Sequence, residues 1–198
     1  MLELVVKKQN KCENADNFQP IVFVIEKEMI TLKLIKNIFK RLKFNMEQTL
    51  VILKPSTVMR GLMGEVISRF EKKGLIIAGM KMIQLNDEIL AEHYSHLVSK
   101  PFFPMLKRSM MESPVVVMCV RGVEAVSVVR GMTGATNSRK AEPGTIRGDY
   151  SMSGQQNIVH ASDSVENAEI ELNRFFKKEE IFEYGADNYK YLYAEDEF

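Results

Sequence analysis

The sequence predicts an α+β fold over most of its length, preceded by an extension that does not belong to that fold. Short apolar runs alternate with segments of helical periodicity after Met46, whereas residues 1–45 show no such regular order. The composition, with 45% apolar and 27% charged residues in 198, is that of an ordinary globular protein. We therefore divide the chain into an extension, residues 1–45, and a domain, residues 46–198.

Within the domain, period-2 and continuous apolar runs predict four strands, and 3.6-residue periodicity predicts four helices. The predicted strands are 49–53, 75–83, 114–120 and 157–159. The predicted helices are 58–73, 87–98, 123–129 and 164–176. Gly74 ends the first helix, Asp87 caps the second, and Asp163 with Glu166 forms a capping box before the last. The order is that of a ferredoxin-like split βαβ sandwich, an antiparallel sheet with helices on one face.

The extension contains two kinds of sequence. Residues 1–20 are polar and unpatterned, which predicts disorder, and residues 28–43 have the spacing of a basic amphipathic helix. This helix either binds a membrane surface or a partner, or it has no separate role and lies upstream of a true start at Met46. The second interpretation is favoured.

Charge and cysteine usage exclude several classes of protein. The 27 Lys and Arg nearly cancel the 26 Asp and Glu, so we expect neither a nucleic acid nor a membrane as partner. Cys12 and Cys119 are too few for a disulfide framework, and Cys119 lies in an apolar run typical of a buried thiol. No secretory or mitochondrial leader is recognisable, and the predicted location is cytoplasmic.

Two segments near the end of the chain carry candidate chemistry. Residues 130–149 bring four basic side chains together with several glycines, a composition typical of a polyphosphate-binding loop or of a merely solvated one. His160 ends an apolar run and is followed at once by Ala-Ser-Asp-Ser. A histidine at a strand end beside a basic loop is well placed to act as a nucleophile or a base.

Five separated motifs, in order, resemble those of the nucleoside diphosphate kinases. They are Leu-Val-Ile-Leu-Lys-Pro at 50–55, Arg-Gly-Leu at 60–62, Lys-Pro-Phe-Phe-Pro at 100–104, Thr-Ile-Arg-Gly-Asp-Tyr at 145–150 and Asn-Ile-Val-His-Ala-Ser-Asp-Ser at 157–164. Several motifs in the right order are far more specific than one alone. The resemblance extends from about Glu47 to the region of Tyr193 and leaves the extension unmatched.

The resemblance implies a ping-pong enzyme that passes the γ-phosphate of a nucleoside triphosphate to a nucleoside diphosphate through a phosphohistidine. It also implies Mg²⁺ bridging phosphate oxygens with few protein ligands, and a homo-oligomer, either a hexamer or a tetramer. By similarity, the catalytic residues are His160, Glu171, which orients the imidazole, and Tyr94, which packs beside it. The implied nucleotide-binding residues are Lys54 and Asn157 for the ribose, Arg130 and Thr136 for the β-phosphate, Arg147 for the transferring phosphate and Phe102 for the base. Leu97 and Leu106 line the outer pocket or are plain core residues.

The chain departs from the family pattern at two places. Ser56-Thr57 replaces the usual Asp-Gly after Lys54-Pro55, so a turn must form without glycine. Gly154-Gln155-Gln156 replaces an apolar residue followed by Gly-Arg, which predicts a looser clamp on the base opposite Phe102. These changes keep open a second hypothesis, that the protein is a catalytically weak or silent nucleotide-binding interaction protein.

Two further hypotheses have less support. His93 and His96 lie three residues apart on one predicted helix and could bind a metal, but a solvated helix face is the favoured interpretation and no metal ligand is predicted. An RNA-binding sheet would need aromatic side chains, and residues 115–120 contain none.

Overall fold

The computed structural model describes residues 46–185, 188–194 and 197. The predictions for residues 1–45, including the polar tail, Cys12 and the helix at 28–43, lie outside these residues. In the part of the chain that is described, the helices are all too short or too polar to cross a membrane.

The centre of the molecule is a four-stranded antiparallel sheet with the strand order β2-β3-β1-β4. Its strands are β1 (Met46–Leu53), β2 (Ile76–Ile83), β3 (Val115–Val123) and β4 (Val159–Ala161). β1 and β3 occupy the interior positions, with Leu50 opposite Cys119, and both strands are rich in β-branched residues that suit a buried pleated surface. β4 pairs with β1 alone, so His160 lies on an edge strand opposite Ile52.

Helices and short 3₁₀ turns connect the strands. In chain order the helices are α1 (Pro55–Met59), α2 (Met63–Lys72), α3 (Asp87–His93), α4 (Phe103–Met111), α5 (Ala125–Thr133), α6 (Ile146–Tyr150), α7 (Val165–Phe175) and α8 (Tyr189–Leu192). The 3₁₀ turns are Ser95–Leu97, Ser138–Lys140 and Lys178–Glu180.

Helices cover both faces of the sheet. Leu50 and Ile52 of β1 pack in one apolar cluster with residues of α3, α4 and α7, whereas Val51 and Leu53 pack in a second cluster with residues of α2 and α5. Because successive side chains of a strand point to opposite faces, this alternation places one cluster on each side. The ferredoxin-like class is confirmed, but the prediction of helices on one face is wrong, since β1 and β3 are apolar on both faces.

The four strands lie close to their predicted positions, except for the last. β4 begins at Val159 rather than at residue 157, because Ile158 has a left-handed φ of +57° that a strand cannot contain. The free thiol of Cys119 is buried in β3 as predicted, and burial raises its pKa to about 12.

The helices differ from prediction mainly at their ends. The helix predicted at 58–73 is divided into α1 and α2 by a turn at Gly61, whose φ is +68°. Asn86 rather than Asp87 caps α3, accepting a hydrogen bond from the Ile89 amide. Gly74 does follow α2 with a positive φ, as predicted.

The last predicted helix differs at its start, and α4, α6 and α8 have no counterpart among the predicted helices. Ser164, not Asp163, caps α7 by accepting a hydrogen bond from the Asn167 amide. α4 was not predicted, although Pro104 stands in its first turn, where proline is favoured.

Candidate active site

A cleft of about 900 Å³ lies at the end of β1 and β4 and is lined by polar and apolar side chains in separate regions. Every catalytic or nucleotide-binding residue predicted from the sequence lines it: Lys54, Tyr94, Phe102, Arg130, Thr136, Arg147, Asn157, His160 and Glu171. These residues come from elements far apart in sequence, and the sheet brings them together.

His160 is held by the carboxylate of Glu171. The Nε2 atom of His160 lies 3.1 and 3.2 Å from the two carboxylate oxygens of Glu171 on α7. Because an ionised carboxylate can only accept a hydrogen bond, Nε2 carries the ring proton and donates a hydrogen bond to Glu171. The lone pair of the imidazole therefore resides on Nδ1, which is the nitrogen available for nucleophilic attack.

Glu171 is ionised in this arrangement. Burial by itself would raise its pKa, but the hydrogen bonds from His160 and from the Ser162 hydroxyl hold the pKa of Glu171 below its usual value. The Ser162 hydroxyl donates to the Oε2 atom of Glu171. Ser162 is part of the sequence motif around His160, but its contact with Glu171 was not predicted.

Two aromatic side chains of the α3 end pack against the His160 ring. The ring centroid of Tyr94 lies 6.2 Å from that of His160, and the ring of His93 lies closer, at 4.6 Å, in an edge-on arrangement. Burial raises the pKa of the Tyr94 phenol, and the charge of Glu171 adds to this, so Tyr94 is a neutral hydroxyl. The predicted position of Tyr94 beside His160 agrees with the structure.

His93 is a buried neutral imidazole, not part of a solvated helix face. Burial, and then the nearby His160, lower the pKa of His93 to about 3. Its partner in the metal hypothesis, His96, is exposed. Adjacency to Tyr94 is the only sequence signal that could have placed His93 near the nucleophile.

His93, His160 and Glu171 form a cluster whose candidate ligand atoms lie within 4.8 Å of one another. This spacing could bracket a metal ion. However, a guanidinium nitrogen of Arg174 lies 3.3 Å from Nδ1 of His93, and its positive charge disfavours a second cation there. The geometry fits a hydrogen-bonded network around His160 better than a metal centre.

Lys54 and Asn157 form a polar pair beside the C-terminal end of β1. The Nζ atom of Lys54 donates to Oδ1 of Asn157 over 2.5 Å, and the Asn157 amide donates to the Thr136 carbonyl over 2.8 Å. Burial, and then the charge of Arg147, lower the pKa of Lys54 to about 8. Both N–H groups of the amide donate to backbone carbonyls, and two of the three N–H groups of the amine are used within the chain. The amine thus presents one donor, and the Oδ1 atom of Asn157 one acceptor, to a hydroxylated ligand.

Arg147 is buried, with only 4% of its surface exposed, and binds three backbone carbonyls. Its Nη1 and Nη2 atoms donate to the carbonyls of Gly134 and Val159 over 2.6 Å, and Nε donates to that of Asn157 over 3.3 Å. A guanidinium has five N–H groups, so two remain for an anion. Arg147 is therefore both a structural anchor and a candidate phosphate ligand.

Arg130 and Thr136 lie at the exposed side of the same region. Arg130 is in the last turn of α5, and no described residue accepts a hydrogen bond from its guanidinium. Gly134, between them, has a φ of +76°, and a Cβ there would collide with Thr145. A loop in this conformation needs glycine. The side chains of Arg130 and Thr136 are both exposed and can contact an anion.

The other end of the cleft is apolar. Phe102 is 47% exposed at the start of α4, while Leu97 and Leu106 line the cleft and also pack on the core. The two leucines are thus both cleft-lining residues and core residues. Gly154 and Gln155 also line the cleft, and the Nε2 atom of Gln155 is buried without a hydrogen-bond partner among the described residues.

The turn after Lys54 forms without glycine. Ser56 and Thr57 belong to α1 and have ordinary φ values, so the conformation that favours Gly at this place is not used. The fully buried Thr57 instead donates its hydroxyl to the carbonyl of Ile158.

These features describe a cleft with basic side chains at one end and, beside them, a histidine held by a carboxylate, an arrangement suited to a polyphosphate ligand and to a nucleophile. Comparison with known proteins agrees with this interpretation. The family model described as nucleoside diphosphate kinase matches residues 47–181. The chain belongs to the nucleoside diphosphate kinase family.

Individual relatives and structures support the same assignment. A nucleoside diphosphate kinase from Parabacteroides distasonis is 65% identical over 153 residues, which are 77% of this chain and all of the relative. One from Thermococcus kodakarensis is 52% identical, over 75% of this chain and 88% of the relative. The halophilic enzyme of Halobacterium salinarum in complex with CDP superposes with a TM-score of 0.73 and 37% identity, over 75% of this chain and 99% of that chain. A transition-state mimic of the Borrelia burgdorferi enzyme, with vanadate and ADP, gives 0.69 and 38% identity, over 73% and 95%.

Proposed function

We propose that the chain transfers the γ-phosphate of a nucleoside triphosphate to a nucleoside diphosphate, with His160 as the covalent carrier. The observation that supports this most directly is the hydrogen bond from Nε2 of His160 to Glu171. It assigns the proton to one ring nitrogen and leaves the lone pair of the other, Nδ1, for phosphorus.

The reaction has two half-reactions in one cleft. In the first, Nδ1 attacks the γ-phosphorus, the bond to the β,γ-bridging oxygen breaks, and the nucleoside diphosphate leaves with that electron pair. In the second, a terminal phosphate oxygen of another diphosphate attacks the phosphohistidine, and the P–N bond breaks. Glu171 stabilises the positive charge that the ring acquires while it carries the phosphoryl group.

We assign the nucleotide along the cleft from its polar to its apolar end. Arg147 and Arg130 bind the phosphates together with Thr136, and Lys54 and Asn157 bind the ribose hydroxyls. Phe102 stacks on the base, which favours low base specificity because every base has a π face.

We further propose that Mg²⁺ enters with the nucleotide. The phosphate end of the cleft presents Arg130, Thr136 and Arg147 rather than a cage of carboxylates, which fits an ion held mainly by phosphate oxygens and water. When bound, Mg²⁺ neutralises part of the phosphate charge. The residues of the chain supply orientation and the nucleophile.

Assembly and location are also proposals. Met80 and Met82 are exposed on the edge strand β2, which supports a homo-oligomer, a hexamer or a tetramer. Analytical ultracentrifugation would give the subunit number. The buried free thiol of Cys119 fits a reducing, cytoplasmic location, which cell fractionation would test.

The enzyme and the silent interaction protein are distinguished by phosphohistidine formation. We expect the purified protein to take up label from [γ-³²P]ATP in an acid-labile form and to release it to unlabelled CDP. His160→Ala should abolish labelling while nucleotide binding remains. Glu171→Gln should lower the rate by roughly 10²-fold, because the imidazole loses the partner that orients it and misplacement of a reacting group costs this order of magnitude. Labelling of the His160→Ala protein at the normal rate would refute the mechanism, and a wild-type protein that binds nucleotide without labelling would support the silent alternative.

A further inference from the structure

The backbone just before the nucleophile is strained. Ile158, two residues before His160, has a φ of +57°, and Glu124 is the only other described residue except glycine with a positive φ. This conformation is a genuine outlier for a β-branched side chain and is unfavourable unless the surrounding structure holds it. The direction in which the His160 side chain points from β4 therefore depends on contacts that hold this peptide in place.

Arg147 holds the peptides on either side of the strained one. Its guanidinium donates to the carbonyls of Asn157 and Val159. It does not reach the carbonyl of Ile158, which lies between them. That carbonyl has to be fixed by another part of the chain.

The first turn of α1 supplies this support. The carbonyl of Ile158 accepts a hydrogen bond from the Lys54 amide over 2.9 Å and a second one from the Thr57 hydroxyl. Thr57 is fully buried, and it is absent from the lining of the cleft. Its hydroxyl thus acts on the backbone rather than on a ligand.

We propose that Thr57 is a positioning residue for His160. Its hydroxyl holds the strained Ile158 peptide, and through it keeps the imidazole aligned with Glu171 on one side and with the cleft on the other. The position is one where the family resemblance leads one to expect glycine, which carries no hydroxyl. This inference rests on the proposed role of His160 as the phosphate carrier.

Thr57→Val tests the hydroxyl, because valine keeps the β-branched shape and leaves the hydrogen bond from the Lys54 amide. We expect kcat and the rate of phosphohistidine formation from ATP to fall about tenfold, in line with the loss of one buried hydrogen bond, while KM changes less than twofold. Thr57→Ser, which restores the hydroxyl, should return both rates to within about twofold of the wild type.

Thr49→Val is the matched control. Thr49 is also fully buried, in β1, but its hydroxyl has no hydrogen-bond partner among the described residues. We expect Thr49→Val to leave kcat, KM and the rate of phosphohistidine formation unchanged.

Two outcomes would overturn the proposal. One is a folded Thr57→Val protein with a lower Tm but a normal rate of phosphohistidine formation, which would make Thr57 merely structural. The other is a Thr57→Ser protein as slow as Thr57→Val. If Thr57→Val does not fold, Thr57→Ser and Thr57→Ala take its place. The ¹⁵N chemical shifts of the His160 ring are then compared between these two variants. Unchanged shifts in Thr57→Ala would contradict a positioning role. Failure of the proposed function would show itself differently, as an absence of phosphohistidine in the wild type.

Discussion

At the level of single residues, Arg130 and Arg147 differ in how many of their N–H groups the protein already uses. Arg147 spends three of five on backbone carbonyls, whereas Arg130 is exposed and spends none on a described residue. Burial, and then the charge of Arg130, lower the pKa of Arg147 to about 10, and it is still a cation at neutral pH. The two side chains should therefore respond differently to removal.

Arg147→Ala should lower kcat by roughly 10²- to 10³-fold, because charge on the transferring phosphoryl group loses a preorganised donor. It should also lower Tm, since three carbonyls lose their partner. Arg130→Ala should mainly raise KM and leave Tm unchanged. Steady-state kinetics and thermal unfolding of both variants check this. Equal losses in kcat and KM for the two, or an unchanged Tm for Arg147→Ala, would contradict the separate roles.

The ionisation of Lys54 predicts a pH dependence of nucleotide binding. Burial, and then Arg147, lower its pKa from 10.5 to about 8, so the amine is charged below this pH and neutral above it. Because a charged amine is the stronger donor to a ribose hydroxyl, KM should rise as the pH increases through about 8. Lys54→Met should bind weakly at every pH and lose this rise. A KM for the wild type that stays flat between about pH 7 and 9.5 would refute the assignment.

At the level of elements, the loop between α6 and β4 contributes Gly154 and Gln155 to the lining of the cleft. A Cβ added to Gly154 would meet only atoms of Asn137 at 3.9 Å, an ordinary contact distance, and the φ of Gly154 is not positive. The position therefore has room for a larger side chain.

Gly154→Val should tighten the clamp on the base by adding an apolar wall opposite Phe102. Burial of two or three carbon groups is worth about 0.8 kcal/mol each, so KM for nucleoside diphosphates should fall by about 15- to 60-fold. The same substitution combined with Phe102→Ala gives a double-mutant cycle. A strictly additive cycle would show that the two positions do not act on the same base.

The sequence predicts this level of structure unevenly, and the reasons are local. The interior strands were predicted well because Leu50–Leu53 and Val115–Val120 are continuous apolar runs. α4 was not predicted because a proline such as Pro104 usually interrupts a helix, although the first turn of a helix tolerates proline. Cap residues were misplaced by one position where two capping side chains are adjacent, as at Asn86 and Asp87.

The site was predicted more completely than the fold details, since the motifs of the resemblance identify side chains that meet in space. What the motifs could not provide is the backbone around them. Ile158 has a left-handed backbone conformation, which an isoleucine in the sequence does not predict. The buried contact of His93 with His160 depends on how α3 packs against α7.

At the level of the whole molecule, a truncated protein that begins at Met46 should be folded, assembled and active. β1 begins at Met46, and all the predicted site residues lie after it. The Parabacteroides relative matches over its full length with 153 residues. Phosphoryl transfer and subunit mass, measured for the truncated and full-length proteins side by side, check this. Aggregation or loss of most of the activity would move the domain boundary into residues 1–45.

Because helices cover both faces of the sheet, its backbone amides should fall into two groups, one with slow and one with faster hydrogen exchange. The amides of β3, and those of Val51, Ile52 and Leu53 in β1, have strand neighbours on both edges and apolar layers above and below, so their hydrogen exchange should require global unfolding. β4 has three residues and a single strand neighbour, and the His160 amide should exchange sooner, through local opening. The strand that carries the proposed phosphate can then open locally while the interior of the sheet stays closed.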